Sequence, residues 1–304
     1  MTELERIRNL SVPSHPIDCI LDTDTYNEID DQYALSFMMK SEKCRVQGIC
    51  AAPFYNPLST SPENGMELSY NEILNLLGLL GRDDMKANVY KGSRTYLPDE
   101  KTPVESPACD YLCTLADRYS KEDPLYVVAI GAITNVASAL IKKPEIAEKI
   151  VLVWLGGNDL RWPDNCEFNL IQDVAAARVV FGCGCPLVQL PCMGVVSAFY
   201  TTKPELEYWL MGKNPLCTYL AQHTIEAAES YAKGKVWSRV IWDVCAVAWL
   251  LNDGGRFMAS ELVPSPIPEY DGHYGFDNRR HFICRVTHIN RDALFGELFS
   301  ALAK

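Results

Sequence analysis

The sequence predicts an α/β fold of the open doubly wound type: a mostly parallel central sheet flanked by helices, with helical C-terminal elaborations. Two observations carry this. Short apolar runs alternate with longer helical patterns up to residue 190, the signature of βαβ units with right-handed crossovers. The runs are also continuous rather than alternating in polarity, which marks strands buried on both faces. No repeat, low-complexity tract or linker interrupts the chain, so residues 1–304 are expected to form a single domain.

The elements follow in order. Ile17–Leu21 reads as a first strand and Asp30–Met39 as a helix with Ala34, Leu35 and Met38 on one face. Val46–Ala52 is a second strand, and Glu63–Leu80 a long helix ended by Gly81. Leu125–Ile130, bounded by Pro124 and Gly131, is a strand, and Thr134–Ile141 is a helix stopped before Pro144. Ile150–Leu155 is a strand that runs into Gly156-Gly157. Asp173–Phe181 is an Ala-rich helix with a glycine cap after it, and Leu187–Leu190 a short strand. Pro204–Tyr231 forms one or two helices and Trp242–Leu251 another; Phe282–Ile289 is a late strand before a C-terminal helix.

Composition narrows the function. Apolar residues make up 48% of the 304 and charged ones 22%, the balance of a globular protein with a large core. The net charge is −11 and no Lys/Arg cluster stands out, which disfavours nucleic acid and anionic membranes as partners. The first sixteen residues are charged and lack an apolar centre, so they do not read as a signal peptide. No apolar run reaches the ~20 residues of a bilayer span, and a cytoplasmic location is expected. The twelve cysteines lie mostly in apolar surroundings and lack zinc-finger spacing, so they read as reduced and structural. No Gly-rich dinucleotide or phosphate loop occurs.

In an open α/β sheet, ligands bind beyond the carboxyl ends of the strands. There the segment from Asp22 to Asp31 gathers five carboxylates in ten residues: Asp22, Asp24, Glu28, Asp30 and Asp31. Clustered carboxylates repel unless a cation offsets them, and oxygen-rich sites suit Ca²⁺ or Mg²⁺. A solvated acidic turn with helix capping accounts for Glu28 and one Asp of the 30–31 pair, but poorly for Asp22 and Asp24 at a buried strand end. An EF-hand fails, because Tyr26, Asn27 and Tyr33 stand where a Ca²⁺ loop needs Asp or Asn, Gly and Glu. A Mg²⁺-dependent haloacid-dehalogenase-type phosphatase with Asp22 as nucleophile stays open, although Tyr26 replaces its Thr or Val.

Strand-Asp22-Thr23-Asp24, a short loop, then Asp30-Asp31-x-x-Ala34-Leu35 resembles the N-terminal signature of the nucleoside hydrolases, the inosine–uridine-preferring N-ribohydrolases. Gly131-Ala-Ile-Thr134-Asn135 resembles their GPLTN loop, and Leu155-Gly156-Gly157-Asn158 their strand-end Met-Gly-Gly. Glu167-Phe168-Asn169 matches their EFN triplet, and Trp242-Asp243-x-x-Ala246 stands where they carry His-Asp-x-x-Ala. The five segments span roughly residues 17–250.

The resemblance implies a nucleoside hydrolase-like fold and Ca²⁺-dependent hydrolysis of the N-glycosidic bond of a ribonucleoside, giving nucleobase and ribose. Asp24 would bind the ion and act as general base on an ion-bound water. Asp31, the Thr134 backbone carbonyl and Asp243 would complete the protein ligands. Asp30, Glu167 and Asn169 would hold ribose hydroxyls, with Phe168 and Trp242 also at the substrate. Asn56 would sit beside the catalytic Asp, and Asp22 would support the site from behind. A homo-oligomer, dimer or tetramer, is also implied.

The residue types fit that chemistry. Cleavage builds oxocarbenium character at C1′, which carboxylates and amide oxygens stabilise, and a cation lowers the pKa of water so that a carboxylate suffices as base. The departure lies at the leaving group. Trp242 replaces the usual His, and indole stacks but is no useful acid. Tyr231, read in a polar loop at 230–235, is the candidate proton donor. Trp242 also motivates a third reading, a non-catalytic ribose- or nucleoside-binding homologue.

Overall fold

The computed structural model describes all of residues 1–304. The chain runs α1 (Glu3–Asn9), β1 (Ile17–Thr23), α2 (Asp30–Met39), β2 (Cys44–Ala51), α3 (Pro62–Leu79), β3 (Val89–Lys91), α4 (Pro107–Leu115) and β4 (Leu125–Ala129). It continues with α5 (Thr134–Lys142), β5 (Ile150–Leu155), α6 (Phe168–Gln172), α7 (Val174–Gly182), β6 (Leu187–Leu190), β7 (Tyr200–Thr201), α8 (Lys203–Trp209) and α9 (Pro215–Ala232). The last part is β8 (Arg239–Val240), α10 (Val244–Leu250), β9 (Met258–Pro264), β10 (Ile267–Pro268), β11 (Tyr274–Gly275), β12 (Phe282–Ile289) and α11 (Arg291–Ala303).

Eight strands form one sheet in the order β3-β2-β1-β4-β5-β6-β12-β9. All neighbours pair in parallel except β9, which closes the edge antiparallel to β12. The order reverses between β1 and β4, the crevice where ligands bind in such sheets. Alternate strand residues serve opposite layers, as the period of two requires. Leu21, Val128, Val153 and Val188 face the layer of α2, α3, α9, α10 and α11. Ile20, Val127, Leu152 and Leu187 face α4, α5 and α7.

The sequence reading holds for the strands at 150–155, 187–190 and 282–289 and for the helix at 30–39. The 204–231 pattern resolves into two helices, α8 and α9. Among the helices it missed, α1 and α4 carry capping signals. Ser106 caps α4 ahead of Pro107, and Thr2 with Glu5 forms a capping box on α1. All twelve cysteines are free thiols, and ten are buried. No helix is long and apolar enough to cross a membrane.

Candidate active site

Two buried helices aim their first turns at the same strand ends. Every residue of α10 is buried, and α2 buries all but its last, because both wedge between the sheet and the outer helices. Their start places Asp30 and Asp31 in the first turn of α2 and Asp243 at the N-cap of α10, where the helix dipole favours negative charge. Asp24 follows the end of β1. Its closeness to the next strand depends on Gly131, since a Cβ there would lie 3.1 Å from the Asp24 carboxyl carbon.

These residues floor a cleft of about 340 Å³, within the range of small-molecule sites. Oxygens of Asp30, Asp31 and Asp243 lie within 4.8 Å of one another. Asp24, Asp30, Asp31 and Asp243 are each no more than 3% exposed, and no Lys or Arg lines the cleft. Burial raises all four carboxyl pKa values, and neighbouring carboxylates raise those of Asp24, Asp31 and Asp243 further; Asp31 reaches about 8. Both carboxylate oxygens of Asp24 and Oδ1 of Asp30 are buried without a hydrogen-bond partner. Orphaned buried oxygens of this kind are costly, and a hard cation is the ligand that would satisfy them.

Hydrogen-bonded groups complete the floor. Asn169 Nδ2 donates to the carbonyls of Ile130 and Leu155, both at 3.1 Å, which ties its amide across two strand ends. Glu167 caps α6: it accepts from the backbone N–H of Asn169 (2.9 Å), Leu170 (3.0 Å) and Gly157 (2.8 Å). Behind the floor, Asn135 Nδ2 donates to Asp22 Oδ1 at 2.8 Å, and its Oδ1 accepts from Ser93 N and Oγ. Burial pushes Asp22 up to about 7, opposed by that Asn135 bond.

The cleft brings together Asp24, Asp30, Asp31, Asn56, Glu167, Phe168, Asn169, Trp242 and Asp243. Two expected residues, Thr134 and Tyr231, stand elsewhere, and Asp22 lies behind the floor. Thr134 does not line it: this residue opens α5, and its hydroxyl donates to Asp173 Oδ2 at 2.7 Å. Ile130, one position past β4, lines the cleft instead, and its carbonyl accepts from Asn169 Nδ2 at 3.1 Å. Asp22 is buried within β1 behind the floor, so it is not placed to be a phosphatase nucleophile. Tyr231 lies in the last turn of α9 rather than in a loop, is 61% exposed and does not line the cleft.

Sequence reasoning missed Asn27, Ile130, Asn158, Cys192 and Met193 on the walls, and read Glu28 only as a solvated or capping carboxylate. Glu28 lines the mouth and pairs with Arg239 Nη2 at 2.7 Å, a contact across 211 positions that no local pattern announces. Partial desolvation and Asp30 push its carboxyl up to about 7 against the pull of Arg239. Asn56 Nδ2 donates to Asn27 Oδ1 at 2.6 Å, while Asn56 Oδ1 accepts from Leu58 N at 2.8 Å. None of the five histidines lines the cleft.

The inosine-uridine preferring nucleoside hydrolase family model matches residues 19–287. The chain belongs to this family. Relatives include the pyrimidine-specific ribonucleoside hydrolase RihA of Enterobacter sp. (strain 638), 26% identical over 259 residues that cover 77% of this chain and 78% of that one. RihA of Klebsiella pneumoniae (strain 342) is 26% identical over 247 residues, 73% and 76% of the two chains. Among solved structures, the plant nucleoside hydrolase PpNRh1 superposes with a TM-score of 0.75 at 20% identity, over 95% of this chain and 99% of that one. A purine-preferring ribonucleoside hydrolase from Gardnerella vaginalis gives 0.76 at 21%, over 94% and 98%. The nucleoside hydrolase is therefore an α/β enzyme of the class that hydrolyses N-glycosyl compounds.

Proposed function

We propose that this hydrolase cleaves the N-glycosidic bond of a ribonucleoside with a Ca²⁺ ion held on the cleft floor, and that Asp24 is its general base. The observation that carries the reading is the set of four buried carboxylates in a cleft that no Lys or Arg lines, with both oxygens of Asp24 unpaired. Asp24, Asp31 and Asp243 are the side-chain ligands in this reading, with the Ile130 carbonyl in the place expected of Thr134. Asp30 is close enough to share either the ion or a ribose hydroxyl. When bound, the cation lowers the pKa of water and anchors ribose hydroxyls, since Ca²⁺ accepts 6–8 oxygens.

The remaining work falls to the chain. Asp24 takes the proton from the attacking water. The Asn169 oxygen, fixed by its two strand-end carbonyl bonds, is presented to ribose, and the negative floor stabilises charge building at C1′. Glu167 acts chiefly by holding α6, and thereby Phe168 and Asn169, against the sheet. Trp242 stacks on or walls the base. Tyr231 is not the proton donor in this reading, and with no cleft histidine the base leaves without an imidazole acid.

The relatives differ in base preference, pyrimidine-specific in RihA and purine-preferring in the Gardnerella vaginalis enzyme, which leaves the base to this chain's own walls. One folded unit over residues 1–304, a homo-oligomeric assembly and a cytoplasmic location belong to the same proposal. The test is a reducing-sugar assay over purine and pyrimidine nucleosides, with Ca²⁺ and with chelator. Turnover lost on chelation, restored by Ca²⁺ and absent from a folded Asp24→Asn variant is expected. Wild-type rates in Asp24→Asn refute the assignment of the base. Nucleoside binding without any base release supports a binding homologue instead.

A further inference from the structure

We propose that Glu28, held by Arg239, reads the edge of the nucleobase remote from the sugar, so that the site favours bases presenting N–H donors there, 2-amino-6-oxopurines above all. This deepens the reaction proposed above and rests on it for the position of ribose.

Burial orders the cleft from floor to mouth. The floor carboxylates are at most 3% exposed, whereas the Glu28 side chain is 42% exposed and Phe168 and Trp242 are half-buried. A nucleoside whose ribose rests on the floor therefore sends its base outward past those two rings. Aromatic faces stack on any base and carry no code, so discrimination falls to the polar groups at the mouth: Asn27, Asn56 and Glu28.

Two of the three are already committed. Asn56 Oδ1 accepts from Leu58 N, and its Nδ2 donates to Asn27 Oδ1, so each amide oxygen already accepts one bond, and what it has left is a neutral acceptor, weaker than a carboxylate. Glu28 differs. Its one hydrogen bond is the ion pair from Oε2 to Arg239 Nη2, which leaves Oε1 and the second lone pair of Oε2 free. Arg239 is itself fixed, in β8 three residues ahead of Trp242, with its side chain only 16% exposed. It steers the carboxylate from the Trp242 side of the cleft, and a charge-assisted bond keeps it there.

An acceptor so held matches adjacent donors. Guanine offers N1–H and the 2-amino group side by side; unsubstituted purine offers only a ring nitrogen lone pair, which a carboxylate repels. Sites built to hydrogen-bond a donor reject analogues that lack it, and a bond to a charged group corresponds to about a 10- to 100-fold preference.

The experiment compares kcat/KM for guanosine and purine riboside, with Ca²⁺, in wild type, Glu28→Ala and Glu28→Gln. It is run at pH 8, so that the carboxylate is the species tested. Intrinsic leaving-group differences enter that ratio equally in every variant, so they cancel when wild type and variant ratios are compared. That ratio is expected to fall about 10- to 100-fold in Glu28→Ala and to a smaller extent in Glu28→Gln. A ratio that stays within threefold of wild type in both variants overturns the inference. The same ratio read as Kd by calorimetry separates the two layers of the argument. If no nucleoside is turned over yet the Kd ratio shifts, the reaction is refuted and the edge recognition stands. If nucleosides are turned over and neither ratio shifts, the reaction stands and the edge recognition falls.

Discussion

Removing divalent cations should make the stability of this protein fall steeply as pH rises from about 4 to about 8, and adding Ca²⁺ should flatten the dependence. Asp31 shows the sign. Burial, then Asp30, raises its carboxyl from 3.8 to about 8. Between those values the folded chain keeps a proton that the unfolded chain has lost. Unfolding then releases protons, and stability drops with rising pH. The contribution is fully present below the unfolded pKa and gone once pH passes the folded one. One such group gives a slope of up to about 1.4 kcal/mol per pH unit. Asp22, raised by burial to about 7, adds a second contribution of the same sign over a shorter window. Bound cation lets the floor carboxylates ionise and contributes about 2.7 kcal/mol at a hundredfold excess over its Kd. Urea unfolding at pH 5, 6, 7 and 8, in chelator and in Ca²⁺, measures both. Parallel curves with and without Ca²⁺, or stability in chelator that rises with pH over this window, would refute the claim that the floor is a cation site.

The other expectations are kinetic. Gly131→Ala places a methyl 3.1 Å from the Asp24 carboxyl and from Ala52 Cβ, so it should lower kcat by about tenfold or more with a smaller change in KM, since a slight misplacement of a reacting group is expensive. An unchanged kcat there would mean that the position of Asp24 is not critical. Trp242→Ala removes the aromatic wall and should raise KM for a good substrate roughly tenfold, the order of one lost base stack; steady-state kinetics on the best nucleoside checks it. Tyr231→Phe should leave kcat within twofold and the pH profile unmoved, because the hydroxyl is outside the cleft; a loss of tenfold or more would restore Tyr231 as a proton donor.

The parts of the molecule legible in the sequence are those fixed by local physics. A continuous apolar run rich in β-branched residues such as Ile150–Leu155 reads as a strand buried on both faces, and carboxylates at the end of another, Asp22 and Asp24, require an explanation beyond solvation. The first turn of α2 was legible because a polar pair preceding an apolar face starts a helix. What escaped depends on distance or on backbone detail. The Glu28–Arg239 pair joins residues 211 apart. The Ile130 carbonyl carries no side-chain signal, and the motif at 131–135 drew the eye to Thr134, whose hydroxyl is spent on Asp173. Tyr231 was read as a loop residue because Ser230 and Gly234 flank it, yet α9 extends to Ala232. The antiparallel edge strand β9 is mostly exposed and lacks the apolar run that announced the others.

The sheet order has a consequence for biosynthesis. β12, residues 282–289, is an interior strand, flanked by β6 and β9. A nascent chain leaving the ribosome therefore carries one side of β6 as an open edge until residues 282–289 have emerged, and the floor of the cleft can close only after the whole sheet core between Asp24 and Asp243 has been made.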